Sequence, residues 1–99
     1  MLTFALMKHL NIKVRGKVQG VYFRISTKAV ADQLGIKGFV LNCEDKSVYI
    51  EAEGDDFALE SLLDFCHEGP EKAEVESVEV EETSELKGFT NFEVIKRIK

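Results

Sequence analysis

The sequence predicts one α+β domain in which two helices cover one face of a mainly antiparallel β-sheet. Segments that alternate apolar and polar residues, as half-buried strands do, are interleaved with two segments of helical spacing. Glycine, aspartate and proline residues mark the ends of these segments. The chain has 99 residues, 44% of them hydrophobic, which is enough for one modest core and leaves no room for a second domain.

The first half of the chain predicts a strand, a loop and a helix. Alternating apolar residues indicate a strand over 11–17, and a glycine-bearing loop follows it. Helical spacing begins at Phe23 and ends at Gly35, which supplies a left-handed terminating residue. Residues 1–10 fall outside this pattern, so we interpret them as an N-terminal extension of a domain that spans 11–99.

The second half of the chain begins with a predicted hairpin and a predicted helix. The two arms of the hairpin lie over 36–42 and 47–53, where apolar residues alternate. Asp55 or Asp56 is expected to cap the helix, and Gly69-Pro70 is expected to end it.

Two further strands complete the predicted sheet. Val78 and Val80 alternate with glutamates, while Val75 is out of phase and indicates either a β-bulge or an earlier start of the strand. The segment 92–98 is predicted to be an edge strand. The resulting order, β-α-β-β-α-β with one extra terminal strand, favours a ferredoxin-like arrangement with two right-handed split units.

The junction of the first strand and the first helix predicts an anion site. Loop amides there lack strand partners and the first helical amides lack intrahelical acceptors, so their N–H groups can converge beside the guanidinium of Arg24. That guanidinium keeps its charge and matches the geometry of phosphate oxygens. Turns of this kind are also common without a ligand, so the glycines alone leave both interpretations open. The predicted backbone donors belong to Gly16, Lys17, Val18, Gln19, Gly20, Val21 and Tyr22.

Other kinds of site are not indicated. The loop has neither the Gly-Lys-Ser/Thr ending of a Walker A loop nor the three-glycine spacing of dinucleotide folds. His9 and His67 lack metal-ligand spacing, so neither a metal nor another cofactor is expected. Cys43 and Cys66 are expected to be free thiols in a cytoplasmic protein, because the chain shows no export signal and no apolar stretch long enough to span a bilayer.

The distribution of charge argues against a nucleic-acid partner. The net charge is −5, yet residues 1–43 carry seven lysines and arginines against one aspartate. Residues 44–85 instead carry sixteen acidic residues against two lysines. The basic first part can attract a small anion, whereas the acidic middle part repels a polyanion such as RNA or DNA.

Two runs of residues in this chain resemble the signatures of the acylphosphatase family. Residues 16–24 match Gly-x-Val-Gln-Gly-Val-x-Phe-Arg without a gap. The run Gly38-Phe39-Val40-Leu41-Asn42, followed by a strand that ends at Gly54, is similar to the second signature. The chain departs from the family in the hairpin turn over 43–47, which lacks the usual glycine and puts the placement of Asn42 in question.

The resemblance implies a phosphate-binding role for Arg24 and a water-orienting role for Asn42. Without it, a strand-end residue that bonds nearby backbone would be the favoured interpretation of Asn42. The implied activity is the hydrolysis of acyl phosphates by a metal-free, cofactor-free monomer, with inorganic phosphate as product and competitive inhibitor. Two alternatives are a non-catalytic module that binds acyl or carbamoyl phosphate and, more remotely, an RNA-recognition-like domain suggested by Lys37-Gly38-Phe39-Val40.

Overall fold

Five strands and two helices follow one another in residues 6–96, the part of the chain that the computed structural model describes. They are β1 (Met7–Lys17), α1 (Phe23–Leu34), β2 (Lys37–Asn42), β3 (Val48–Asp55), α2 (Asp56–Glu68), β4 (Glu74–Thr83) and β5 (Phe92–Val94). The strands form one sheet in the order β4-β1-β3-β2-β5. All neighbouring pairs are antiparallel except β2 and β5, so the predicted ferredoxin-like architecture is confirmed.

The core lies between the sheet and the two helices. Ile12 and Val14 of β1 and Ile50 of β3 are fully buried, as expected for alternate residues that point to the helical face. Helix α1 packs beside β2 and β5, while α2 packs beside β4, β3 and β1. Phe23, which opens α1, is also buried in this core and contacts Phe65 of α2 across a ring-centroid distance of 5.6 Å.

The ends of the helices follow the predicted signals. Asp55 is the N-cap of α2, and its carboxylate accepts a hydrogen bond of 2.8 Å from the backbone N–H of Ala58. Gly35 ends α1 with φ 72°, in the left-handed region that glycine adopts without strain. Gly69 ends α2. The N-terminus of α1 is different, because its N-cap is Tyr22 and no side chain caps it.

A β-bulge lies where β1 leaves the sheet, and it agrees with the first of the two interpretations of Val75. Arg15 pairs with Ser77 of β4, but the next residue, Gly16, pairs with Val75. Gly16 has φ 128°, and a Cβ atom at this position would collide with the carbonyl oxygen of Glu74. The bulge redirects β1 towards the loop that follows it.

The first strand is longer than predicted. It begins at Met7, and both His9 and Leu10 are buried within the sheet. The predicted boundary between residues 10 and 11 therefore lies inside β1, while residues 1–5 of the predicted extension lie outside the described residues. The prediction missed this segment because Lys8, the residue before Leu10 on the core-facing parity of β1, is charged and ends the apolar alternation.

The last strand is shorter than predicted. It covers Phe92–Val94 instead of 92–98, and it lies parallel to β2 at the edge of the sheet, as expected for an edge strand. Residues 97 and 98 of the predicted strand lie outside the described residues.

An ionic cluster, buried except for the exposed side chain of Lys87, occupies the sheet face opposite the helices. Nδ1 of His9 lies 2.6 Å from Glu53 Oε2, and its Nε2 lies 2.8 Å from Asn11 Oδ1 and 3.1 Å from Glu51 Oε1. Lys87 completes the group, since its Nζ lies 2.6 Å from Glu51 Oε1. We call His9, Glu51, Glu53 and Lys87 the open-face cluster.

The open-face cluster also holds the connection between β4 and β5. Glu53 accepts hydrogen bonds from the backbone N–H groups of Lys87, Gly88 and Phe89 at 2.6, 3.0 and 3.3 Å. Burial by itself raises the pKa of Glu53, but the hydrogen bonds from His9 and these three amides outweigh burial and lower it. The carboxylate therefore fastens the connection to the sheet.

Candidate functional site

A pocket of about 340 Å³ lies between the loop that precedes α1 and the end of β2. We call it the loop pocket, and we call residues 16–22 the glycine loop. The pocket brings Arg24 and Asn42 together, although they are distant in the sequence. The residues that line it are Val18, Gly20, Tyr22, Phe23, Arg24, Ile25 and Asn42.

Backbone N–H groups without partners border the loop pocket. None of the amides from Val18 to Ile25 donates a hydrogen bond to another described residue, and the first helical bond runs from Ser26 N–H to Tyr22 O over 3.1 Å. Gly20 and Tyr22 both adopt left-handed conformations, with φ 74° and 67°. Such turns direct successive N–H groups to one side of the chain, which creates a concave site for an anion.

Arg24 brings a permanent positive charge to the loop pocket. It is half-buried in the first turn of α1, which is anchored by the buried Phe23 beside it. Arg24 makes no ion pair with another residue in the range 6–96. The guanidinium, the helix N-terminus and the free amides therefore all favour a bound anion.

Asn42 contributes a buried hydrogen-bond acceptor that has no partner. It is the last residue of β2, and its side-chain Oδ1 is buried without a hydrogen bond to any described residue. Leaving a buried acceptor unsatisfied costs about 1–3 kcal/mol, so such an atom indicates a place for a water or a ligand donor.

Three of the seven predicted loop donors line the loop pocket, and four do not. Val18, Gly20 and Tyr22 line the loop pocket. Gly16 and Lys17 belong to β1, where they pair with Val75 and Glu74, and they do not line the pocket. Val21 is buried in the hydrophobic core.

Two pocket residues were not predicted. Phe23 and Ile25 line the loop pocket through the first turn of α1, next to Arg24. The prediction included the first helical amides as a group, because they lack intrahelical acceptors, but its residues ended at Tyr22. Including the first helical turn with the loop would have found both residues.

The side chain of Gln19 turns away from the loop pocket and towards the hairpin. Its Nε2 donates hydrogen bonds to the carbonyl oxygens of Cys43 and Ser47, at 2.9 and 3.0 Å. The sequence predicted only a backbone role for Gln19, because no local pattern reveals a partner 24 or 28 residues away.

The hairpin turn over 43–47, which lacks the family's glycine, places Lys46 in the left-handed region with φ 76°. Asp45 supports this turn by accepting a hydrogen bond of 3.1 Å from the backbone N–H of Ser47. The Ser47 hydroxyl, and next the ammonium of Lys13, also bond the Asp45 carboxylate, and together they lower its pKa. Because the turn lacks glycine, its left-handed backbone position is occupied by Lys46, and the resulting strain lies four residues after Asn42.

Cysteine, metal and membrane features add no second site among the described residues. Cys43 is half-buried and Cys66 is buried, and both are free thiols, as predicted. Burial raises the pKa of Cys66 to about 12. In residues 6–96 no three His, Cys, Asp or Glu side chains are grouped so that they could hold a metal ion. No helix in that range has the length and apolarity needed to cross a bilayer.

Sequence comparisons relate the chain to a known family. The family model described as Acylphosphatase matches residues 10–94. A curated relative from Thermotoga petrophila, named Acylphosphatase, is 49% identical over 88 residues, which cover 89% of this chain and 97% of the relative. A relative of the same name from Marinobacter nauticus is 46% identical over 82 residues, which cover 83% of this chain and 89% of the relative.

Structural comparisons agree with the sequence comparisons. The crystal structure of acylphosphatase from Bacillus subtilis is similar to this chain with a TM-score of 0.87 and 34% identity, over 89% of this chain and 98% of that one. The chain is also similar to part of full-length HypF in a phosphate- and nucleotide-bound form. That match has a TM-score of 0.82 and 26% identity, and it covers 94% of this chain but 12% of HypF.

Proposed function

Because this chain belongs to the acylphosphatase family, we propose that it hydrolyses acyl phosphates to a carboxylate and inorganic phosphate. The observation that carries the proposal is the unpartnered, buried Oδ1 of Asn42 in the same pocket as Arg24 and the free loop amides. A phosphoryl group supplies acceptors for the loop amides and negative charge for Arg24, and an attacking water supplies a donor for Asn42 Oδ1.

The phosphoryl group is bound by positive charge and by N–H donors. The amides that border the loop pocket and the guanidinium of Arg24 contact its oxygens. Phosphoryl transfer proceeds through a loose transition state whose negative charge is spread over the equatorial oxygens. Donors fixed in place before the reaction stabilise that charge without reorganising.

Asn42 positions the water that attacks phosphorus. Its Oδ1 accepts a hydrogen bond from the water, which fills the vacant acceptor position and directs a lone pair of the water oxygen towards phosphorus. The new P–O bond forms as the bond between phosphorus and the acyl oxygen breaks. The acyl oxygen leaves as a carboxylate, and the proton of the water passes to phosphate or to solvent.

The chemistry of the substrate explains why the site needs few groups. An acyl phosphate is a mixed anhydride whose carboxylate leaving group is stable at neutral pH, so it needs no proton from an enzyme acid. We propose that no metal ion or other cofactor takes part. An alkyl phosphate has a far poorer leaving group, so this site is expected to turn it over weakly or not at all.

The test compares benzoyl phosphate with p-nitrophenyl phosphate in the presence of EDTA. We expect hydrolysis of benzoyl phosphate that EDTA does not reduce, little turnover of the monoester, and competitive inhibition by inorganic phosphate. Loss of activity with EDTA that Mg²⁺ restores would contradict the metal-free mechanism. Absence of hydrolysis would instead favour a non-catalytic module that binds acyl or carbamoyl phosphate.

We further propose that the protein acts as a cytoplasmic monomer without a nucleic-acid partner. The acidic segment 44–85 supports the last point, because it repels a polyanion. Binding of single-stranded RNA that weakens steeply with salt would contradict it.

A further inference from the structure

Gln19 connects the glycine loop to both ends of the hairpin turn. Its amide nitrogen donates to the carbonyl oxygens of Cys43 and Ser47, at 2.9 and 3.0 Å. These two residues also pair with each other, because the N–H of Cys43 donates to Ser47 O over 2.9 Å. Among the described residues, these are the hydrogen bonds that join the glycine loop to the turn.

The position of Asn42 depends on that turn. Asn42 directly precedes Cys43, and no hydrogen bond to a described residue holds its Oδ1. The ladder between β1 and β3 ends at the pair Val14 and Val48, before the glycine loop begins. Beyond this pair, the Gln19 side chain supplies the hydrogen bonds that fix the end of β2 against the loop.

We propose that Gln19 is a positioning residue that holds Asn42 in line with the phosphoryl group. Both hydrogens of its amide nitrogen are used by the turn, so that nitrogen has no donor left for phosphate. The proposal rests on the proposed function, because the placement of Asn42 matters only if Asn42 directs a water. A displacement of about 1 Å in a reacting group can reduce a rate about 10²-fold.

The test replaces Gln19 by methionine, which keeps an unbranched side chain of similar size and removes the two donors. We expect kcat for benzoyl phosphate to fall about 10- to 100-fold. The dissociation constant of inorganic phosphate, measured by calorimetry, should change by less than about threefold because Arg24 and the loop amides remain. The matched control is Gln33→Met, on the exposed side of α1, which should change neither quantity.

The same substitution in an Asn42→Ala background separates positioning from general structural damage. If Gln19 acts through Asn42, then Gln19→Met causes little further loss of kcat once Asn42 is absent. The proposal is overturned if the substitution lowers kcat by the same factor in both backgrounds. It is also overturned if Gln19→Met lowers Tm but leaves kcat at the wild-type value.

A second variant decides the question if Gln19→Met does not fold. Gln19→Glu keeps the shape of the side chain but places a carboxylate, which has no donor, against two carbonyl oxygens. Protonation of that carboxylate restores one O–H donor. Its kcat relative to wild type should rise as the pH falls through the titration of that carboxyl group, and a constant ratio would overturn the proposal. Failure of the proposed function is distinguishable, because the wild-type protein itself would then not hydrolyse benzoyl phosphate.

Discussion

The polar groups of the loop pocket and those of the open-face cluster differ in whether they have hydrogen-bond partners. In the open-face cluster, His9, Glu51, Glu53 and Lys87 all have hydrogen-bonded or ionic partners within 3.1 Å. In the loop pocket, Asn42 Oδ1 and the amides from Val18 to Ile25 have no partner among the described residues. The pocket also contains Tyr22 in a left-handed conformation that is unfavourable for a side chain with a Cβ atom.

This difference indicates which buried polar groups serve stability and which serve function. The cluster contains more charge, so a search for buried ionisable residues alone would select it first. The groups of the open-face cluster bond one another, however, so no donor or acceptor among them is free to bind a ligand. Under the proposed function, the cost of the unsatisfied groups of the loop pocket would be recovered when an anion and a water bind.

Arg24→Ala is expected to have the largest effect, because Arg24 is the only side-chain cation among residues 6–96 that lines the pocket. We expect kcat for benzoyl phosphate to fall about 10³-fold, together with a loss of at least about tenfold in phosphate affinity. Steady-state kinetics and calorimetry measure the two quantities. The control is Arg15→Ala, whose ion pairs with Glu79 and Asp45 lie at the surface. Equal effects of the two substitutions would contradict the assignment.

Asn42→Ala is expected to reduce kcat about 10²- to 10³-fold while phosphate affinity is retained, because the water is positioned only for the chemical step. Tm should stay the same or rise slightly, since the substitution removes an unsatisfied buried acceptor. The matched control is Asn91→Ala, at an exposed position. Near-normal kcat in Asn42→Ala would show that Asn42 does not orient the water.

Glu53→Gln is expected to reduce stability and to leave the chemistry intact. Both carboxylate oxygens accept from backbone N–H groups, Oε2 from Lys87 and Oε1 from Gly88 and Phe89, so the amide nitrogen of glutamine would face a donor at either position. Breaking a buried pair in this way costs about 3 kcal/mol. Urea unfolding measures the loss, with Glu82→Gln in an exposed ion pair as the control. A normal free energy of unfolding in Glu53→Gln would contradict the structural role.

Acid should destabilise the protein through the same cluster. Burial acts to raise the pKa values of Glu51 and Glu53, but their hydrogen bonds outweigh it, so both values lie below the ordinary 4.5. Their contribution to stability is therefore complete above about pH 4.5 and is lost as the pH falls through the folded-state values. We expect Tm to fall more steeply below this pH in the wild type than in Glu53→Gln. Parallel curves would contradict this assignment.

Lys46→Gly is expected to have the smallest effect. Lys46 has φ 76°, where a residue with a Cβ atom costs about 1–2 kcal/mol. Glycine removes this strain but adds freedom to the unfolded chain, so we expect a net stabilisation of about 0.5–1 kcal/mol. Lys46→Ala is the control, because it removes the ammonium and keeps the strain. Destabilisation by glycine would show that the Lys46 side chain contributes more than the strain costs.

The sequence predicted most of the fold because the decisive signals are local. Asp55, Gly35 and Gly69 mark the ends of helices, and the phase of Val75 revealed the bulge opposite Gly16. The start of β1 was missed because recognising His9 as a buried strand residue of the open face requires knowing that Glu53 lies beside it. The partner of a buried polar side chain is a long-range contact that periodicity does not report.

The candidate site was predicted in part for the same reason. Arg24 and Asn42 emerged from two short runs of residues, and the structure places both in one pocket. The side-chain role of Gln19 could not be predicted, because its acceptors are backbone carbonyls of a distant turn. Backbone acceptors are present at every residue, so no residue type marks them in a sequence.

A crystal structure with vanadate is the most direct test of how the loop pocket acts. Vanadate imitates phosphorus with five oxygen neighbours, so both the phosphoryl oxygens and the attacking water are represented. We predict that vanadium lies in the loop pocket with Arg24 and the loop amides on its equatorial oxygens and Asn42 on one axial oxygen. An empty pocket with Arg24 turned towards solvent, or vanadate bound with Asn42 out of contact, would contradict the account.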